Sequence, residues 1–124
     1  MAMILSETSG VVVLKPQGRL NAQGSATLQE CIDRLSLEPQ YLWILDLDQI
    51  EFIDSFGLMT LTESLKAARA CGSRLVICNL RAPVRLILEI TQLDRVFEIF
   101  ESPEAALKHH RPRVIAPLKG ELAA

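Results

Sequence analysis

Two short, almost continuously apolar runs limit the folds open to this chain of 124 residues. The runs are residues 41–47 and Arg74–Cys78, and each is typical of a strand that is buried on both faces of a parallel sheet. Amphipathic segments flank both runs, so the sequence predicts strands that alternate with helices. That order indicates right-handed crossovers and helices packed against a largely parallel sheet, which is an α/β fold.

The remaining elements are predicted from spacing and from turn residues. Besides the two apolar runs, the predicted strands are an N-terminal hairpin of residues 1–7 and 11–14, the second closed by Lys15-Pro16 and Gly18, and a last strand at residues 97–100. The first predicted helix covers residues 25–37 and is ended by Pro39. The second covers residues 56–70, with the apolar stripe Leu58, Leu61, Leu65 and Ala68 and a stop at Gly72. A third helix is opened by Pro83 and includes Val84, Ile87 and Ile90, and a fourth is capped by Ser102 and reaches about His109. Leu86 and Leu88, beside the stripe of the third helix, indicate a surface for pairing.

Length and composition favour one domain over residues 1–108, followed by a mobile C-terminal tail over residues 109–124. The tail carries basic residues and prolines without periodicity. No apolar run approaches the roughly 20 residues of a membrane span, and the first residues lack the pattern of a signal peptide. We therefore expect a cytoplasmic protein without a membrane partner.

Charge and cysteine usage exclude several classes of function. Lys and Arg total 13 against 15 for Asp and Glu, and a net charge of -2 argues against direct binding to nucleic acid. The number of cysteines is odd and none form a CxxC pair, so neither a disulfide framework nor a zinc site is predicted. We expect all three, Cys31, Cys71 and Cys78, to behave as small buried apolar residues.

The segment between the first apolar run and the second helix carries the chemistry. Asp54 or Ser55 is expected to cap this helix, because either side chain can accept a hydrogen bond from a first-turn backbone N–H. The carboxyl ends of strands in open α/β sheets are where sites are usually built. A phosphoryl group on Ser55 would meet free N–H groups and the positive end of the helix dipole.

Residues 52–58, FIDSFGL, resemble the D-S-x-G-[LIV] signature of STAS domains, particularly those of bacterial anti-sigma factor antagonists. The resemblance spans residues 4–108 and includes residues 18–21 after the second strand, residues 45–47 in the third, and Gly72 before residues 75–78. It implies a STAS-like fold with an N-terminal β-hairpin, then alternating helices and strands.

The resemblance also implies a non-enzymatic, phosphorylation-switched regulator. Ser55 would be phosphorylated by a partner that is both an anti-sigma factor and a serine protein kinase, and a serine phosphatase would reverse the reaction. The partner would bind ATP, so no cofactor or metal is expected on this chain, and binding would occur while Ser55 is unphosphorylated. The expected partner-binding residues are Asn21, Asp54, Ser55, Phe56, Gly57 and Met59. Asn21 stands where the family often has aspartate, and Phe56 stands where a second serine is common.

Other classes of function are weighed against this one. A serine hydrolase needs a base near Ser55, whereas the histidines are His109 and His110, and the G-x-S-x-G elbow is absent. Mg²⁺ prefers oxygen ligands such as the carboxylates of Asp46, Asp48, Glu51 and Asp54. Successive side chains of a strand point to opposite faces, however, so these carboxylates are not expected to converge on one ion. The main alternative is a stand-alone STAS module that senses a ligand or nucleotide, although no glycine-rich phosphate loop is present.

Overall fold

Six strands and four helices form in residues 2–8, 10–37 and 41–109, which the computed structural model describes. The strands are β1 (Ala2–Thr8), β2 (Val11–Leu20), β3 (Leu42–Asp46), β4 (Ile50–Ile53), β5 (Arg74–Cys78) and β6 (Glu98–Phe100). The helices are α1 (Ala22–Leu35), α2 (Ser55–Ala70), α3 (Ala82–Ile90) and α4 (Pro103–Lys108), and a 3₁₀ turn covers Leu93–Arg95. Apart from His109, the tail predicted over residues 109–124 lies outside the described residues.

The sheet has the predicted, largely parallel topology. Its order is β1-β2-β3-β5-β6, in which β1 is antiparallel to β2 and the other neighbours run parallel. All five residues of β3 are buried, because β3 has strands on both sides and helices on both faces. The α/β prediction and the N-terminal hairpin are therefore confirmed.

Alternate residues of the central strands face two separate cores. Trp43 and Leu45 join the larger core, which α1, α2 and α3 cover. Leu42 and Ile44 face the smaller core, to which α4 contributes Ala106. Three helices on one face and one on the other thus protect the sheet from solvent.

The sequence predicted no strand between the first apolar run and the second helix, and this was wrong, because part of that segment is a strand. Ile50–Ile53 forms β4, which pairs in parallel with the second half of β2. Its burial pattern is buried, exposed, exposed, buried, so neither alternation nor a continuous apolar run marks it in the sequence. β4 carries the chain directly to Ser55.

β2 is six residues longer than predicted and includes Pro16 and residues 18–20. Its pairing with β3 stops at Leu14, and its pairing with β4 begins at Gly18. Pro16 lies between these two paired segments, where β2 has no parallel partner. The missing N–H of proline therefore costs no hydrogen bond of a parallel ladder. The residues expected after the strand are therefore its final paired segment.

Three smaller predictions also need correction. Helix α1 begins at Ala22, three residues earlier than predicted, and ends at Leu35. In α3 the buried residues are Val84 and Leu88, so Ile90 is exposed and Leu88 is unavailable for the expected pairing surface. Cys78 is buried as predicted, whereas Cys31 and Cys71 are only partly buried.

Candidate functional site

Asp54, at the end of β4, caps helix α2 and fixes the position of Ser55. The backbone of Asp54 is extended, and its Oδ1 accepts a hydrogen bond of 3.1 Å from the N–H of Gly57. Its carbonyl accepts a second bond, of 2.9 Å, from the N–H of Leu58. The cap that the sequence left open between Asp54 and Ser55 is thus Asp54, and Ser55 is the first helical residue.

Ser55 presents an accessible hydroxyl at this helix terminus. Among the serines whose side chains the structure describes, it is the only exposed one. Its hydroxyl makes no hydrogen bond to another described residue. The backbone N–H groups of Ser55 and Phe56 have no acceptor four residues earlier within the helix, because both lie in the first turn. Donors are therefore available beside the hydroxyl.

Asn21 caps α1 in the same way and at the same edge of the sheet. Its Oδ1 accepts a hydrogen bond of 3.1 Å from the N–H of Gly24. Leu20 and Ile53 are paired between β2 and β4, and the N–H of Asp54 donates to the carbonyl of Leu20 at 3.3 Å. The structure thus brings Asn21 and Asp54 together, although they are distant in sequence.

Gly57 allows the start of α2 to approach the end of β2. A Cβ built at this position would overlap the carbonyl oxygen of Leu20 and would lie 2.6 Å from Cγ1 of Ile53. Because glycine has no side chain, it lets another backbone approach the helix, and here that backbone is the chain's own. Gly57 was expected to bind a partner, but it is itself buried, and its visible contribution is to the packing of α2 against β2.

An exposed apolar surface surrounds Ser55. Phe56 is 54% exposed and Met59 is 61% exposed, whereas Leu58 is partly buried against the larger core. Phe52 of β4 is also exposed, and the guanidinium of Arg19 lies 5.2 Å from the centre of its ring. Sequence reasoning missed the pair Arg19 and Phe52, because their contact follows from the pairing of β2 with β4.

Within the described residues, the geometry at this edge favours neither the serine hydrolase nor the magnesium site. His109 follows α4; its ring stacks on Phe100, and its carbonyl accepts a hydrogen bond from Arg74, the first residue of β5. The bond to Arg74 places the backbone of His109 near the amino end of β5, whereas Ser55 follows the carboxyl end of β4. Asp46 accepts hydrogen bonds from the N–H of Asp48 and from the side chain of Asn79, so its carboxylate holds the turn after β3.

Comparison with known sequences identifies the family. The STAS domain model matches residues 2–106. The TM1081 homolog of Thermotoga neapolitana is 30% identical over 104 residues, which are 83% of this chain and 92% of that protein. The anti-sigma F factor antagonist of Paenibacillus polymyxa is 26% identical over 79% of this chain and 85% of its own length.

Solved structures show the same fold. The crystal structure of TM1081 from Thermotoga maritima matches with a TM-score of 0.79 at 24% identity, over 86% of this chain and 92% of that one. The anti-sigma factor antagonist SpoIIAA in its unphosphorylated form matches with a TM-score of 0.73 at 18% identity, over 86% and 94%. The phosphorylated form of SpoIIAA from Bacillus gives 0.69 at 18% identity, over 89% and 100%.

The chain belongs to the STAS family. Its relatives within that family include anti-sigma factor antagonists, which are regulatory proteins. No helix among the described residues has the length and apolar character needed to cross a membrane.

Proposed function

We propose that this protein is a phosphorylation-switched regulator of the anti-sigma factor antagonist type. It binds an anti-sigma factor with serine kinase activity while Ser55 is unmodified, and phosphorylation of Ser55 releases that partner. The observation that carries the proposal is the exposed hydroxyl of Ser55 at the amino terminus of α2, which makes no hydrogen bond to another described residue and lies within a D-S-x-G motif. The partner binds the ATP that donates the phosphoryl group, and a serine phosphatase restores the binding form.

The docking surface comprises Asn21, Asp54, Ser55, Phe56, Gly57 and Met59. Phe56 and Met59 provide exposed apolar area on both sides of the hydroxyl, and exposed aromatic and methionine side chains are enriched in protein interfaces. Asn21 and Asp54 frame the site as the two helix caps. Gly57 lets the start of α2 pack closely against the end of β2, and this packing sets the position of the exposed docking residues.

Electrostatics supports release on phosphorylation. The phosphoryl group adds about -1.5 to -2 charge units at neutral pH, which is comparable with the net charge of -2 of the whole chain. Burying this charge in an interface beside Asp54, without a cation from the partner, would cost several kcal/mol. A cost of about 4 kcal/mol lowers affinity roughly a thousandfold.

The same edge can hold the phosphoryl group without refolding. The first-turn N–H groups and the dipole of α2 stabilise an anion at this terminus. The likeness of this chain to both the unphosphorylated and the phosphorylated SpoIIAA supports a fold that persists after modification. We therefore attribute release to charge and steric fit at the interface.

Mass spectrometry tests the modification directly. The protein is incubated with ATP in an extract of its native cells, and the phosphorylated peptide is mapped. One phosphoryl group on Ser55 is expected, absent from Ser55→Ala and retained in Thr91→Ala, a matched control at another exposed hydroxyl. No modification in an extract with active kinases would refute the proposal, as would modification that persists in Ser55→Ala.

The kinase isolated with this assay then tests the release step. Its affinity is measured for the protein before and after phosphorylation, and amide NMR spectra of the two forms are compared. We expect a roughly thousandfold loss of affinity, with shift changes confined to the ends of β2 and β4 and the first turns of α1 and α2. Equal affinities, or changes across the whole sheet, would contradict the mechanism.

A further inference from the structure

A cleft opens at the edge of the sheet opposite Ser55. It lies where β3, β5 and β6 begin, and the second half of α2 forms one wall. Its cavity volume is about 450 Å³, within the range of about 300–1,000 Å³ that is usual for small-molecule sites. Neither the docking surface nor the phosphorylation site described above uses any of its residues.

One cation of the cleft is held in place by an ion pair. The guanidinium of Arg74 donates two hydrogen bonds to the carboxylate of Glu98, of 2.7 and 2.6 Å, and a third of 3.3 Å to the carbonyl of His109. The hydrogen bonds from Arg74 lower the pKa of Glu98, so its carboxylate stays charged and neutralises Arg74. This pair fixes one wall without leaving a net charge.

Arg69 supplies a second cation that remains unneutralised. It projects from α2, is exposed, and has no hydrogen bond or ion pair to any described residue, although its charge also lowers the pKa of Glu98. Among the described residues that line the cleft, two are arginines and one, Glu98, carries a carboxylate, which leaves a positive charge there. A guanidinium fork matches the geometry of a carboxylate or phosphate and binds either of them through paired hydrogen bonds.

Four further lining residues give the cleft an apolar part. Leu75 is 2% exposed and Leu65 is 6% exposed, and together they form the floor. Val96 and Tyr41, each 44% exposed, stand at the mouth. An inorganic anion bound at Arg69 would leave the exposed faces of Val96 and Tyr41 in water, whereas an apolar group attached to the anion would cover them.

From this combination we propose that the cleft binds a small organic anion, with a carboxylate or phosphate that pairs with Arg69 and an aromatic or branched aliphatic body that packs on Val96 and Tyr41, above the buried Leu65 and Leu75. The site lies at the other end of α2 from Ser55. Occupancy is therefore independent of phosphorylation, and the inference does not rest on the proposed function.

Titration of the full chain with small probes tests the site. Phenyl phosphate and benzoate are compared with inorganic phosphate and with neutral benzyl alcohol, by amide NMR and calorimetry. Arg69→Gln removes the free cation, and Val96→Asp places a negative charge at the mouth; both residues are exposed, so the fold should persist. Arg85→Gln, at an exposed arginine of α3, is the matched control.

We expect saturable binding of phenyl phosphate or benzoate, with shift changes in residues 72–75 and 96–98. Affinity should fall at least about tenfold in Arg69→Gln and Val96→Asp and stay unchanged in Arg85→Gln. Tighter binding of one organic probe identifies phosphate esters or carboxylates as the ligand class. Equal binding of inorganic phosphate or benzyl alcohol, an unaffected Arg69→Gln, or no binding below about 10 mM would overturn the proposal.

Discussion

Replacing Gly57 by alanine should destabilise the protein, although alanine is the better helix former. The added Cβ would overlap the carbonyl oxygen of Leu20 and lie 2.6 Å from Cγ1 of Ile53. That carbonyl cannot move freely, because it accepts the N–H of Asp54 and because Leu20 is paired with Ile53 in the sheet. The overlap must therefore be relieved by moving the start of α2 away from β2.

The magnitude follows from two opposing terms. Alanine is favoured over glycine inside a helix by about 1 kcal/mol. Overpacking of a well-packed region costs about 1–3 kcal/mol, and the upper end applies here because a backbone atom is among the neighbours. The net loss in the free energy of unfolding is thus about 2 kcal/mol, or a Tm lower by about 8 °C for a domain of this size.

Urea unfolding followed by circular dichroism measures this loss. The difference between Lys66→Ala and Lys66→Gly, at an exposed site in the same helix, gives the alanine preference without the overlap. In a separate binding assay with the kinase that we propose as the partner, Gly57→Ala should also weaken capture, because the edge that carries Ser55 shifts. A Gly57→Ala protein as stable as the wild type, or more stable, would refute the reasoning.

Three further outcomes are expected. Asp54→Ala should lose about 1 kcal/mol of unfolding free energy while Asp54→Asn loses less, because asparagine still accepts the N–H of Gly57; equal losses in urea titrations would contradict the cap. Since the hydrogen bonds from Arg74 lower the pKa of Glu98, wild type should exceed Glu98→Gln in Tm at neutral pH, and this advantage should vanish as acid protonates Glu98 in the folded state. The difference should stay below about 1 kcal/mol because the pair is half exposed, and a pH-independent difference would be inconsistent with it. Burial, with smaller contributions from nearby carboxylates, raises the pKa of Cys78 to about 12, so a thiol reagent at neutral pH should modify Cys78 only on unfolding; rapid labelling of the native protein would argue against this protonated, buried state.

Much of the fold follows from local patterns in the sequence. The bounds of β5 were predicted without error, since a short apolar run has one stable place in an α/β protein, the interior of the sheet. Ser102 and Pro103 likewise marked the start of α4, because the cap and the proline act within a single turn. The position of Ser55 at a helix terminus came from the same kind of signal.

Contacts between distant segments decided the rest. The four residues of β4 show no hydrophobic periodicity that would predict their pairing with β2. That pairing nevertheless brings Asn21 beside Asp54 and Arg19 over Phe52. The cleft at the opposite edge likewise combines Arg69 and Arg74 with Glu98 from separate elements. Local signals in the sequence are enough to predict the alternating elements and the candidate serine, because propensity, capping and burial act over a few residues. Which side chains surround each site depends on strand register and helix packing, and these involve the whole chain at once.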